Sequence, residues 1–144
     1  MLRNILIGFG LMAMIAVSAA LGAEPGQQQD ALAVAAARNW LDMIDNGEYA
    51  KSWADAAQYF KKAITETEWV QSMQEVRKPL GKIISRKLKS QTPKTTLPNT
   101  PKGNYIVIQF ETSFANGKSG IETITPQLEK DGMWRVAGYQ IQWQ

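Results

Sequence analysis

Residues 105–115 read YIVIQFETSFA, and the pair Asn116-Gly117 follows them directly. Apolar and polar side chains alternate through this stretch, and such alternation predicts a β-strand with one buried face. The Asn-Gly pair is a strong hairpin signal, because both residue types tolerate positive φ. The stretch therefore predicts a strand and the turn into its antiparallel neighbour. One face of that strand carries Ile106, Ile108, Phe110, Thr112 and Phe114.

Three more strands are predicted around this hairpin. Ile84 and Leu88 alternate with polar residues in the segment before it, whose lysines are typical of a sheet edge. Asp131-Gly132 is a second hairpin signal after it. The result is a four-stranded antiparallel meander. Its other strands are Lys82–Lys89, Ser119–Lys130 and Met133–Trp143, with a loop over 91–103.

The period of the apolar residues is 3.6 upstream of residue 81, which indicates helices. A first helix is predicted from Asp30 to Asn46-Gly47, and a second over Tyr49–Lys62. A third begins at the capping box Thr65-Glu66-Thr67-Glu68 and ends near Pro79, with Trp69, Met73 and Val76 on one face. Helices before strands predict an α+β domain: three N-terminal helices packed on a four-stranded curved antiparallel sheet.

The first 23 residues have the layout of a secretory signal peptide. Arg3 precedes the uncharged run Ile5–Ala23, which ends in small residues that permit cleavage after Ala19, Ala20 or Ala23. The alternative is a retained membrane anchor, since the run approaches the roughly 20 residues that span a bilayer. We expect cleavage, a polar leader over 24–29, a single domain over 30–144, and a periplasmic or secreted protein.

The inventory of side chains excludes several kinds of site. The chain has no histidine and no cysteine, so imidazole bases, thiol nucleophiles, disulfides and Cys/His zinc sites are ruled out. We expect no cofactor and no metal. Residues 76–110 hold eight bases and no acid. The basic block predicts a solvated edge strand and loop or, alternatively, a contact with an anionic envelope surface; its members are Arg77, Lys78, Lys82, Arg86, Lys87, Lys89 and Lys94. Nucleic acid is not expected, because no aromatic residue lies between Arg77 and Lys94 to stack on bases.

Several spaced segments resemble a known family. They include Trp40-Leu41-Asp42, Gly47-Glu48-Tyr49, Arg77-Lys78-Pro79-Leu80-Gly81, Phe110-Glu111-Thr112-Ser113-Phe114 and residues 131–139, DGMWRVAGY. The chain is similar, over nearly all of residues 24–144, to the bacterial envelope family catalogued as domain of unknown function 4019. The resemblance implies a cystatin-like fold of the nuclear-transport-factor-2 kind and no particular activity. Asn99 stands where the family usually has a glycine, and asparagine is the next best residue at positive φ.

Four polar residues form the candidate site: Arg86, Glu122, Arg135 and Tyr139. If Phe110 and Ile124 face the core, alternation places Glu122 on the same face, and Tyr139 and Arg135 join it from the last strand. Arg86 alternates with Ile84 and Leu88 in the first strand and is expected on the inward face with them. A lone buried charge is costly, so these groups are expected to pair. The pairs would form either a structural salt bridge or the polar floor of a pocket between sheet and helices.

The function predicted from these observations is a non-catalytic binding or protein-interaction module of the envelope. The partner is an unknown protein or small molecule. An isomerase or lyase that uses the pocket is the alternative, but neighbouring arginines would make Glu122 a poor base. Trp134 and Trp143 should lie on opposite sheet faces unless a bulge intervenes. An exposed tryptophan on the outer sheet face would indicate a homodimer through that face.

Overall fold

The computed structural model describes Gly22 and residues 24–144. The predicted signal peptide lies outside this range, except for Gly22. The described residues form an α+β domain in which helices precede an open antiparallel sheet, as predicted. The helices are α1 (Pro25–Asp45), α2 (Tyr49–Ala54), α3 (Gln58–Ala63) and α4 (Glu66–Val76), followed by a short 3₁₀ turn (Lys78–Leu80). The strands are β1 (Ile83–Lys94), β2 (Tyr105–Phe114), β3 (Ser119–Leu128) and β4 (Trp134–Trp143).

Helix α1 is longer than predicted, because it begins at Pro25 and not at Asp30. Pro25 occupies the first turn, where its missing N–H costs no hydrogen bond and its fixed φ suits the helix. The buried side of the helix carries Ala33, Ala37 and Leu41. Asn46 then ends α1, and Gly47 continues the turn at φ 76°.

The predicted second helix over Tyr49–Lys62 is divided, so the described residues contain four α-helices instead of three. Ala57 interrupts the helix with an extended backbone (φ −62°, ψ 155°). Its N–H donates 2.8 Å to the carbonyl of Val136 in β4. This contact with the sheet supplies the hydrogen bond that a continuous helix would have provided.

The sheet has the strand order β1-β2-β3-β4, so β1 and β4 are its edges. Helix α1 covers one face, here called the inner face; the opposite one is the outer face. Strand β1 runs through residues 91–94, which were predicted as loop, and includes Pro93. An edge strand tolerates proline because half of its N–H groups have no ladder partner. Irregular register after Ile83 leaves Ile84 70% exposed, so Ile84 does not face the core as predicted.

A second irregularity, in β4, decides which side chains face the helices. Thr125 pairs with Gly138 but the next residue, Pro126, pairs with Val136, so Ala137 is an extra residue that forms a β-bulge. The bulge reverses the alternation, and Trp134, Val136 and Tyr139 all pack in the core with α1. Trp143 follows Tyr139 on the same face and contacts Phe114 at a centroid distance of 6.1 Å. The bulge thus places both tryptophans on the inner face.

The space between helices and sheet is filled by aromatic rings. The indole of Trp40 lies 5.9 Å from the ring of Phe60, 5.7 Å from that of Trp69 and 5.5 Å from that of Tyr139. Its Nε1 donates to the carbonyl of Ser52, and Trp69 donates to the Ser52 hydroxyl. The buried tryptophans are therefore core residues with satisfied N–H groups.

Candidate functional site

The Asn116-Gly117 turn sets the position of Glu122. Phe114 N–H donates to Lys118 O, and Gly117 has φ 90°, which a glycine adopts without strain. The resulting register places Glu122 directly opposite Phe110 on the inner face. Glu122 is 0% exposed. A carboxylate in this position must have partners, because an unpaired buried charge is very unfavourable.

The carboxylate of Glu122 accepts four hydrogen bonds from the described residues. Arg86 Nε donates to Oε1 at 2.8 Å, and Arg86 Nη2 donates to Oε2 at 3.2 Å. The Thr112 hydroxyl donates to Oε1 and the Tyr139 hydroxyl to Oε2, each at 2.5 Å. A carboxylate offers about four lone-pair positions. The hydrogen-bonding capacity of Glu122 is thus saturated by this chain.

Arg86 joins Glu122 to a second carboxylate, that of Asp45 at the end of α1. Arg86 Nη1 donates to Asp45 Oδ2 at 2.7 Å, and Nη2 donates to Oδ1 at 3.1 Å. Burial by itself lowers the pKa of Arg86, but its hydrogen bonds to Asp45 and Glu122 outweigh burial and raise that pKa above its ordinary value. Arg86 therefore stays charged.

Arg77 completes the group at the end of α4. Its Nη2 donates to Asp45 Oδ1 at 3.2 Å, its Nη1 donates to the carbonyl of Gly81 at 2.6 Å, and its guanidinium lies 5.1 Å from the ring centroid of Phe114. Nε has no hydrogen-bond partner in the described part of the chain. Two carboxylates and two guanidinium groups thus form a neutral set, here called the buried charge network: Asp45, Arg77, Arg86 and Glu122.

Tyr139 closes the network on the side of the aromatic core. Burial and then the negative charge of Glu122 raise the pKa of Tyr139 well above its usual value. The phenol is therefore protonated near neutral pH and serves as a hydrogen-bond donor to Glu122. Its ring packs against Trp40 at a centroid distance of 5.5 Å, so the hydroxyl faces the carboxylate while the ring belongs to the aromatic core.

The structure brings together three of the four predicted site residues, Arg86, Glu122 and Tyr139, but not Arg135. The expectation that Arg135 shares the inner face is wrong, because the extra residue Ala137 reverses the alternation between Tyr139 and Arg135. Arg135 instead donates to Glu129 at 3.0 Å and to Asp131 at 2.9 Å, and its side chain is 32% exposed. Its hydrogen bond to Asp131 raises its pKa despite partial burial.

Three members of the site were not predicted: Asp45, Arg77 and Thr112. Each lies on the same face as a core residue of its own helix or strand, because a helix face repeats every four residues and a strand face every two. Asp45 comes four residues after Leu41, Arg77 comes four after Met73, and Thr112 comes two after Phe110. On a helix, positions i and i+4 share a face, so the placements of Asp45 and Arg77 were available from the sequence, and alternation in the strand already places Thr112 on the face of Phe110. Val76, which was predicted on this face of α4, is instead 48% exposed.

The basic block of residues 77–94 is divided by the fold. Arg77 and Arg86 belong to the buried charge network and are not part of the surface. The exposed cations of this segment are lysines alone, at positions 78, 82, 87, 89 and 94. An anionic surface would therefore be recognised by lysines without the planar fork that arginine supplies.

The grooves on the described surface include two open ones, of which the first is lined by Asp45 and Arg77 of the network and neither by Glu122, Arg86 or Tyr139. The first, of about 750 Å³, lies between the α1–α2 turn and the end of α4. The second, of about 1130 Å³, lies between α1, α3 and the β3–β4 hairpin. Among the described helices, none combines the length and the apolar character that a membrane span needs.

The architecture defines a class: an open α+β domain whose interior is occupied by aromatic rings and a neutral charge network. Comparison with known families then gives the identity. The model of the family described as "protein of unknown function" (domain of unknown function 4019) matches residues 36–139, and the chain belongs to this family. The matched region includes all four residues of the network together with Thr112 and Tyr139. No curated protein matches the chain.

Proposed function

We propose that this protein is a non-catalytic interaction module of the bacterial envelope. The observation that carries the proposal is the saturated carboxylate of Glu122. A general base needs a free lone pair and a pocket that admits substrate. The acceptor positions of Glu122 are occupied by hydrogen bonds from Arg86, Thr112 and Tyr139. In this proposal the charged groups inside the domain stabilise the fold, and the surface of the domain binds the partner.

The outer face of the sheet is the surface best suited to a partner. Its central rows combine glutamine, threonine and aliphatic side chains without charge, and depletion of charged residues is the compositional signature of interface centres. Charge returns at one margin, where Lys87 lies opposite Glu111. The α2–α3 segment covers one end through Ala57 and Tyr59. The uncovered centre comprises Val107, Gln109, Ile121, Thr123, Gln140 and Gln142.

Photo-crosslinking in the native host tests this surface. A benzoylphenylalanine at Thr123, in the middle of the outer face, is expected to give discrete protein adducts. Benzoylphenylalanine in place of Gln71, which is exposed on α4, is the matched control and should give no adducts. Equal adducts at both positions, or none at Thr123, would contradict the assignment of the outer face.

Native mass spectrometry separates the proposal from the isomerase or lyase alternative. Protein purified from its host is expected to carry no small-molecule adduct. A copurified small molecule that is lost on Tyr139→Phe, which alters only the interior, would favour an enzyme with a site between helices and sheet. The conservative Tyr59→Phe, outside the core beneath α1, is the control.

A further inference from the structure

The two edges of the sheet differ in how well they are protected against pairing with another strand. The β1 edge carries Lys87, Lys89, Lys94 and Pro93, and its register is irregular at two places. Lysines, proline and bulges are the devices by which natural edge strands avoid intermolecular pairing. The β4 edge lacks them in its second half, since residues 138–144, which follow the bulge at Ala137, contain no charged side chain and no proline.

The backbone of this second half has free hydrogen-bonding groups. Gln144 N–H points to β3 and donates to Ser119 O at 3.1 Å. Backbone groups alternate in direction along a strand. Tyr139, Ile141 and Trp143 therefore point their N–H and C=O groups away from β3. In the described chain only the first half of this edge is covered, by the Ala57 to Val136 hydrogen bond.

We propose that this edge pairs with the same edge of a second copy, which gives a two-fold symmetric dimer with a continuous eight-stranded sheet. The free groups determine the register. With Ile141 opposite Ile141 of the second copy, Tyr139 lies opposite Trp143 of the second copy, and all three pairs are of the hydrogen-bonded kind. Each outward N–H and C=O then has a partner.

A second copy fits this edge because the edge is complementary to itself. A two-fold axis brings like residues together, so a charged edge such as β1 would repel its copy. On the outer face of the β4 pair, Gln140 faces Gln142 of the second copy, and two amides can exchange hydrogen bonds. On the inner face, the indole of Trp143, 42% exposed in the single chain, gains a neighbour in the partner strand.

The contact is short, which fixes the expected strength of the dimer. A standard stable interface buries about 800 Å² per partner. Five residues of strand bury less, so the dimer is weak and depends on concentration. The inference goes beyond the proposed function and does not depend on it, because edge pairing leaves Thr123 uncovered. The two can therefore fail separately.

Sedimentation velocity of protein purified from its host, up to about 1 mM, tests the dimer, since its association is weak. In this register residue 140 of one copy faces residue 142 of the other, so charges introduced at these two positions should have predictable effects on association. Gln140→Lys with Gln142→Lys places like charges opposite each other and should weaken association roughly tenfold, whereas Gln140→Lys with Gln142→Glu places opposite charges together and should restore or strengthen it. Both side chains are exposed, so the variants should fold.

Gln71→Lys with Gln74→Lys, on the exposed side of α4, adds the same charge elsewhere and should leave association unchanged. A wild-type protein that stays monomeric throughout the concentration range would overturn the proposal. So would a dimer that responds equally to both β4 variants, because its contact would then not follow the register. Loss of the outer-face crosslinks with an intact dimer would count only against the proposed function.

Discussion

Glu122 makes the most consequential contacts of any single residue in the network. Glu122→Gln keeps the volume but removes the negative charge that faces Arg86. Breaking a buried ion pair on one side costs about 3–5 kcal/mol. We expect about 3 kcal/mol, because Asp45 continues to pair with Arg86. Thermal or urea unfolding measures this loss of unfolding free energy, and Glu111→Gln, at an exposed position, is the control. Superimposable melting curves for Glu122→Gln and wild type would remove the network as a source of stability.

The Tyr139 hydroxyl can be removed by itself. Tyr139→Phe leaves the ring beside Trp40 but deletes a hydrogen bond to a charged acceptor, which is worth about 1.5–3 kcal/mol. The matched variant Tyr59→Phe deletes a hydroxyl that donates to the backbone of Asn99 near the surface, and it should cost less. Urea unfolding of both variants makes the comparison. Equal losses would mean that the contact with Glu122 has no special value.

The same variant has a pH signature. Burial and Glu122 raise the pKa of Tyr139 in the folded state, so the folded protein retains a proton that the unfolded chain loses near pH 10. The stability conferred by this contact is complete below about pH 10 and declines above it, by up to about 1.4 kcal/mol per pH unit. The difference in unfolding free energy between wild type and Tyr139→Phe should therefore shrink from pH 9 to pH 11. A constant difference would contradict the assigned pKa direction.

Helix α4 illustrates what a local pattern can predict at the scale of one element. The Thr65 hydroxyl accepts from Glu68 N–H at 3.2 Å, and the Glu68 carboxylate accepts from Thr65 N–H at 3.1 Å, which is the predicted capping box. Thr65→Ala should cost about 1 kcal/mol of stability. Thr67, two residues later, is exposed and takes no part in the cap, so Thr67→Ala should cost much less stability. Equal melting temperatures for the two variants would show that the cap contributes nothing.

Strand β4 illustrates what a local pattern cannot predict. Alternation assigns Tyr139 and Arg135 to one face, and Gly138, a residue type that often marks a bulge inside a strand, does not by itself fix which residue is the extra one. The bulge at Ala137 follows from tertiary constraints, since Val136 must meet both Pro126 in β3 and Ala57 before α3. The face of Glu122 was predictable because β3 has no bulge between the hairpin and Ile124. Arg135 was misplaced because its strand does have one.

At the scale of the whole molecule, the separation of acidic and basic residues along the sequence is explained by the ion pairs of the network. The acids are concentrated before residue 76 and the bases between residues 76 and 110, so the ion pairs of the network join distant parts of the chain. Asp45 lies 41 residues from Arg86, and Glu122 lies 36 residues from it. The network therefore fixes α1 and the end of α4 to two strands. Composition alone reveals the imbalance but not which residues pair, because pairing depends on the register of the sheet.

The location of the molecule is tested at its amino terminus. Pro25 begins α1, so cleavage after Ala23 would leave Glu24 immediately before the helix, where an acidic side chain is favourable. Intact-mass measurement of protein from the envelope fraction should give a chain without residues 1–23. Met12→Arg interrupts the apolar run that export requires and should leave the chain unprocessed and inside the cell. An envelope protein whose mass retains Met1–Ala23 would mean that this segment stays attached as an anchor, and a processed Met12→Arg chain would mean that the apolar run is not the export signal.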